Sequence, residues 1–208
     1  MSKELKRLRQ RLLAWGLANL ATSYERAVAD YKRRLLSDLS GTVVEIGPGT
    51  GANLPYYPRG IRWIGIEPNP FMDRYLKRQA KALDIEIQIR RGRGEQLPIP
   101  DASADAVVST LVLCSVSNLP GVLSEVLRVL RPGGRFVFIE HVAAQEGTRL
   151  RRLQAWLKPI WMRLGEGCQP DRETWIALER TGFAKLDYSR FKAPVPVVSP
   201  QIMGVGVK

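Results

Sequence analysis

The 208-residue chain predicts an α/β domain in which helices cover both faces of a mostly parallel sheet. Three observations lead there. Short β-branched runs recur between segments of helical periodicity; the first run, VVEI, empties into the glycine-rich turn GPGTG; and the length suits one domain with a substantial core rather than two.

The elements follow in order. Residues 3–20, KELKRLRQRLLAWGLANL, set Leu5, Leu8, Leu12 and Trp15 at helical spacing, with Lys6, Arg7, Arg9 and Arg11 largely on other faces. A second helix, SYERAVADYKRRLLSDL, stops at Ser40-Gly41, where glycine suits a helix end. Strands are then expected at 42–46, 62–67, 85–90, 105–110 and 135–141, with helices near 71–83 and 120–130. RPGG, Arg131 to Gly134, is a turn that ends the second of these helices and launches the fifth strand. Residues 147–168 are rich in Arg and Trp, a capped helix begins near Asp171, and FAKLDYSRF and QIMGVGVK supply two closing strands. The division expected is 1–40 as N-terminal helices and 41–208 as the main domain, with 147–168 as a lid segment.

Composition excludes several classes. Hydrophobic residues make up 45% and charged residues 25%, an ordinary globular balance. No run approaches the ~18 apolar residues of a membrane span, and no secretory leader is evident. Two cysteines, Cys114 and Cys168, give neither a disulfide framework nor a metal quartet, so no metal is expected and a cytoplasmic, reducing setting is read. The net charge of +12 admits nucleic acid, an anionic membrane, an acidic partner or a solvated basic surface. For the first helix the readings are a helix packed on the domain or one lying on anionic lipid.

Gly47-x-Gly49-x-x-Ala52 satisfies the relaxed dinucleotide fingerprint, and Glu67 ends the second strand about 20 residues on, where a carboxylate accepts from a ribose diol. That ribose belongs to NAD and to S-adenosylmethionine alike. Glu45 favours the second, because a carboxylate two residues before Gly47 is awkward beside pyrophosphate and suits a sulfonium and an ammonium. Gly51 suits a loop that approaches adenosine and methionine closely. The chain also lacks the length for the further catalytic domain usual in a nicotinamide dehydrogenase.

EIGPGTG, GIEPNP, GEQLPIPDASADAVV and LRVLRPGGRFVFIEH resemble, in order and spacing, the motifs of class I S-adenosylmethionine methyltransferases. TLVLCSV, the EHVA stretch, GC-x-x-x-RETW-x-ALE and PQIMGVGVK extend the resemblance to the alkyl-thiol S-methyltransferases of the methyltransferase-like seven group, covering nearly everything after residue 42. Those proteins begin with a hydrophobic anchor, whereas this chain begins with a basic amphipathic helix. The resemblance implies a Rossmann-like seven-stranded, mostly parallel sheet with an antiparallel C-terminal strand. It implies S-adenosyl-L-methionine as cofactor, with Gly47, Gly49 and Gly51 lining it, Glu67 on the ribose, and Pro68 and Asn69 beside adenine. Gly94 and Glu95 would meet the adenine edge; Arg93 stands where many relatives carry an acidic residue.

An open sheet places its site beyond the strand carboxyl ends, so Thr110, Leu111 and the segment through Val116, with Glu140 and His141, should surround the reacting centre. Methyl transfer asks for an in-line acceptor in a dry pocket and little acid–base machinery. The apolar TLVLCSV lacks the Asn/Asp-Pro-Pro-aromatic motif that receives exocyclic amines and suits a small hydrophobic acceptor. A thiol reacts as thiolate, which makes His141 the candidate base; the alternative is a histidine that orients a loop. Tyr24, Leu113, Cys114, Trp156 and Trp161 are the candidate pocket residues, although Cys114 also reads as packing and Tyr24 with Tyr31 as a helix-face pair. The leading expectation is a methyltransferase for a small or lipophilic acceptor, favouring a thiol. Alternatives are a phospholipid amine N-methyltransferase, a quinone-type C-methyltransferase, a catalytically silent cofactor-binding subunit and a basic nucleic-acid-binding protein. Peripheral contact with an anionic membrane is expected, and nucleic acid is not, since the tryptophans lie among apolar neighbours.

Overall fold

The structure is a computed structural model that describes residues 3–208. Two helices, α1 (Lys3–Leu20) and α2 (Thr22–Leu36), precede the alternating part of the chain. There follow β1 (Thr42–Ile46), a short 3-10 turn at Leu54–Tyr56, β2 (Arg62–Ile66), α3 (Asp73–Leu83), β3 (Ile87–Arg90), β4 (Ala104–Thr110), α4 (Leu119–Val129) and β5 (Leu130–His141). The chain closes with α5 (Arg149–Leu164), α6 (Thr174–Glu179), β6 (Lys185–Lys192) and β7 (Pro200–Val207).

The seven strands stand in the order β3-β2-β1-β4-β5-β7-β6. β1 to β5 pair in parallel, while β7 runs antiparallel to both β5 and β6. Side-chain alternation divides the core between the two faces. Val44, Ile64 and Val107 pack against Val122, Leu123 and Val126 of α4. Val43, Trp63, Ala106 and Val137 meet Leu36 of α2 and Leu76 of α3 on the other side. Both faces are covered, which is why the inner strands read as unbroken apolar runs rather than as alternating ones.

Two boundaries move for physical reasons. RPGG is incorporated at the start of β5, where Ala104 pairs with Leu130 and the register then jumps to Ala106 with Arg135, Gly133 taking φ +77°. The expected turn survives as an irregularity in the strand. The last helix starts at Thr174 rather than Asp171: the Arg172 guanidinium is drawn away to the carbonyls of Leu113 and Val116, at 2.6 and 2.8 Å.

Strand order reverses between β1 and β4, and the carboxyl ends of those strands open a crevice. α1 and α2 roof it. Among the described residues no helix is long and apolar enough to cross a membrane.

Candidate active site

The crevice is a cavity of about 400 Å³ whose wall includes Glu45, Gly47, Gly49, Thr110 and Val112 below and Lys32 above. Its floor is the turn after β1. Gly47, Gly49 and Gly51 all have positive φ, at +63°, +55° and +88°, a conformation that L side chains pay to adopt. Their surroundings differ. A Cβ on Gly47 would strike Val112 at 2.7 Å and one on Gly51 would strike Leu76 at 2.9 Å, whereas one on Gly49 would enter open space. Gly49 is thus the glycine that leaves room for a ligand, and Gly51 chiefly lets the turn pack on α3.

Glu67 braces this turn. Its carboxylate accepts from the Gly49 amide at 3.0 Å and the Asn69 amide at 2.8 Å. Burial raises its pKa, and the two amides partly oppose that rise. Asn69 is buried, donating to the Gln10 carbonyl of α1 at 3.1 Å, while Pro68 is exposed. Gly94 is buried where a Cβ would press on Val122. Glu95 accepts from the amide and hydroxyl of Ser117. Burial acts to raise the Glu95 pKa, but the Ser117 bonds outweigh it and the carboxyl sits low. Pro68, Asn69, Gly94 and Glu95 flank the crevice on the β2–β3 side without lining the cavity itself.

Glu45 is buried and accepts from three donors, Asn53 Nδ2 and Tyr57 OH at 2.8 Å and Trp63 Nε1 at 3.0 Å, which leaves acceptor capacity on the carboxylate. Burial raises its pKa, with those bonds pulling the other way. Thr110 Oγ1 accepts from the same Asn53 amide at 3.0 Å, joining the ends of β1 and β4. Leu111 follows at φ +57°, a strained position for a branched side chain. What holds it is Glu140, whose Oε1 accepts from the Val112 and Leu113 amides at 3.0 Å and from Ser109 Oγ at 2.8 Å.

Lys32 carried no functional signal in the sequence. It is wholly buried, pairs with Glu25 at 2.6 Å and lies close enough to Glu45 to lower that group's pKa. The cavity therefore brings the buried Lys32 and Glu45 side chains to one wall.

The acceptor-side candidates separate. Tyr24 is buried and donates to Gln201 Oε1 at 3.0 Å; burial drives its pKa up, and it packs with Val28 and Ala193. Tyr31 packs against the same cluster, its ring meeting Phe191 at 4.6 Å between centroids, so the two tyrosines do share one face of α2. Leu113 belongs to the main core, not to a pocket, because the apolar run turns inward there. Cys114 is 1% exposed. Trp156 is 75% exposed and lines no part of the cavity, so α5 does not close over it through that ring. Trp161 points its Nε1 at Cys168 Sγ, at 3.2 Å. His141 is buried with Nε2 at 2.9 Å from the same sulfur and Nδ1 without a partner among the described residues, and it does not line the cavity either.

A switch-point cavity with open space over Gly49 and a carboxylate bracing its glycine turn fits the class I S-adenosylmethionine-dependent methyltransferases. Residues 44–138 match the family described as "Methyltransferase domain". The chain is 42% identical to human Thiol S-methyltransferase TMT1A over 206 residues, covering 92% of this chain and 84% of that protein. With human Thiol S-methyltransferase TMT1B it shares 38% over the same span and coverage. Among solved structures, a SAM-dependent methyltransferase of Thermotoga maritima superposes with a TM-score of 0.67 at 20% identity, covering 93% of this chain and 92% of that one. The chain belongs to the methyltransferase family that contains the two human enzymes.

Proposed function

We propose that the methyl acceptor is the sulfur of a small or lipophilic thiol. The observation that carries this is the similarity, over nearly the whole chain, to two proteins named thiol S-methyltransferases. The loop after β4 supports it: Leu111 to Val116 offers apolar and small side chains and no amide or carboxylate of its own to receive an amine.

In this reading Lys32 takes the carboxylate of the cofactor's amino-acid end and Glu45 faces its ammonium. Glu67 accepts from the ribose hydroxyls, Gly47 and Gly49 let the backbone come close, and Asn69 and Glu95 border adenine. S-adenosylmethionine supplies a methyl group already activated by the sulfonium charge. The chain's remaining tasks are to hold the acceptor in line, exclude water and leave the acceptor sulfur deprotonated. α1 and α2 exclude water from above, and Thr110 to Val112 form the wall nearest the acceptor. Because Cys168 occupies Nε2 of His141, Nδ1 is the nitrogen left to take a proton.

Transfer of a radiolabelled methyl group should be followed across alkyl thiols, phospholipid amines, quinols and RNA, with product identification. Thioether formed from thiols alone is the expected result. Turnover on a lipid amine or a quinol in place of a thiol would overturn the assignment.

A surface feature supports work at a membrane. Arg9 donates to the Arg163 carbonyl, bringing α1 beside α5. Leu8, Leu12 and Trp15 of α1 and Trp156, Ile160 and Leu164 of α5 are all exposed, with Arg7, Arg11, Arg152 and Arg163 exposed on the same helices. Apolar side chains among cations suit the interface of an anionic bilayer, from which lipophilic thiols could be drawn.

A further inference from the structure

Two loops and the end of β5 bring Cys114, Cys168 and His141 together outside the cavity lining, with their ligand-type atoms within 4.8 Å of one another. The loops are fastened at this point: the Gln169 amide donates to the Cys114 carbonyl at 2.9 Å, and Arg172 clamps the carbonyls on either side of Cys114, those of Leu113 and Val116. In the methyl transfer described above Cys168 only occupies one ring nitrogen of His141, and neither sulfur makes or breaks a bond.

Two kinds of chemistry fit two sulfurs and an imidazole: a metal centre and a dithiol. The geometry separates them. Zinc bonds of about 2.0–2.1 Å to nitrogen and 2.3 Å to sulfur set a tetrahedral N···S edge of about 3.5 Å, but His141 Nε2 is 2.9 Å from Cys168 Sγ, a hydrogen-bond contact. A metal-bound histidine normally donates its other ring nitrogen to a partner, and here Nδ1 has none among the described residues. The Arg172 guanidinium also stands close enough to feel both sulfurs, which suits a lone thiolate better than a dication.

Cys168 Sγ is instead surrounded as an anion. His141 Nε2 and Trp161 Nε1 both reach it, the latter at 3.2 Å, and it is partly accessible, whereas Cys114 is buried. Hydrogen bonding from the Cys114 thiol, with help from His141 and Trp161, outweighs burial and holds the Cys168 thiol well below the ordinary range, while the same contact and burial raise that of Cys114. The two roles of an oxidisable pair are thereby divided between an accessible thiolate and a protonated neighbour within reach.

We propose that Cys168 and Cys114 form an oxidisable dithiol in which Cys168 attacks a hydroperoxide and Cys114 then closes a disulfide. In the first step the Cys168 thiolate takes the distal oxygen, the O–O bond breaks, and the sulfur is oxidised to a sulfenic acid. The departing alkoxide takes a proton from His141 or solvent and leaves as an alcohol. In the second step Cys114 attacks Cys168, the S–S bond forms, the S–O bond breaks, and hydroxide leaves with the Cys114 proton as water. The bridge would tie the Gly165–Cys168 turn to the loop that carries Val112 into the cavity wall, placing an oxidant-sensitive lock beside the acceptor.

The test needs no methyl acceptor, so its failure is distinct from failure of the thiol reading. Purified full-length protein is treated with hydrogen peroxide in small excess and analysed by intact and peptide mass spectrometry. The expected product has lost two hydrogens, yields a cross-linked peptide joining Cys114 to Cys168, and reverts with dithiothreitol. Cys114→Ser should stop at a sulfenic acid on Cys168 that dimedone captures. On the unmodified chain, alkylation of Cys168 by iodoacetamide should persist to a pH well below the ~8.5 of an ordinary thiol. A Cys168 that alkylates as an ordinary thiol, peroxide treatment that leaves both thiols free, or one zinc per chain by elemental analysis would overturn the proposal.

Discussion

Replacing Lys32 with Met removes a wholly buried ammonium while keeping the length and most of the apolar stem. Lys32 Nζ lies 2.6 Å from Glu25 Oε2, and the Glu25 side chain is 29% exposed. Breaking a fully buried pair costs about 3–5 kcal/mol because the survivor stays desolvated. Glu25 can turn towards water, and Met is spared the burial of a charge, so the loss of folding stability should stay near or below about 1–2 kcal/mol. Cofactor binding should suffer more specifically. A charge-assisted hydrogen bond to the cofactor carboxylate contributes about 1.5–3 kcal/mol, so the dissociation constant for S-adenosylmethionine should rise about 10- to 150-fold. Titration calorimetry with decarboxylated S-adenosylmethionine supplies the control, because that compound lacks the group Lys32 is assigned to hold and should bind both proteins alike. Equal losses for the two compounds, or no loss for either, would refute the assignment.

Further outcomes follow from the same geometry. Glu67→Ala should weaken S-adenosylmethionine binding by about 1.5–3 kcal/mol in calorimetry, since it removes a buried charged acceptor; an unchanged affinity would take Glu67 out of the site. Burial raises the pKa of Glu140 despite its bonds from Leu113, Val112 and Ser109, so the native chain binds this proton more tightly than the unfolded chain. Between the ordinary Glu value and that raised value, stability therefore falls as pH rises, and Glu140→Gln should flatten that part of the melting-temperature profile measured by calorimetry. A profile unaltered by the substitution would contradict it. Trp15→Asp with Trp156→Asp should abolish co-sedimentation with anionic vesicles and leave cofactor affinity intact; undiminished sedimentation would remove the membrane reading.

The sheet was legible because both its faces are buried: β-branched runs such as VVEI and AVV have no other stable place, and the glycine turn after β1 announces the switch point. What the sequence concealed depends on packing. Lys32 sits in KRR on an amphipathic helix, a pattern that reads as a solvated face, and only the docking of α2 over the crevice buries it. Leu113 looked like pocket lining because an apolar run does not say which way each residue turns. Cys114, His141 and Cys168 are each 27 residues from the next, with no ligand spacing to betray that two loops meet at the end of β5. Trp156 and Trp161 read as one apolar lid, yet their place on α5 leaves the first exposed and turns the second towards a sulfur.

The most direct measurement is the crystal structure of the protein with S-adenosylhomocysteine bound. The amino-acid end should lie between Lys32 and Glu45, with the ribose hydroxyls on Glu67 and the backbone at Gly49 against the ligand. A ligand bound in the reverse direction, or one seated away from the ends of β1 and β4, would contradict the account.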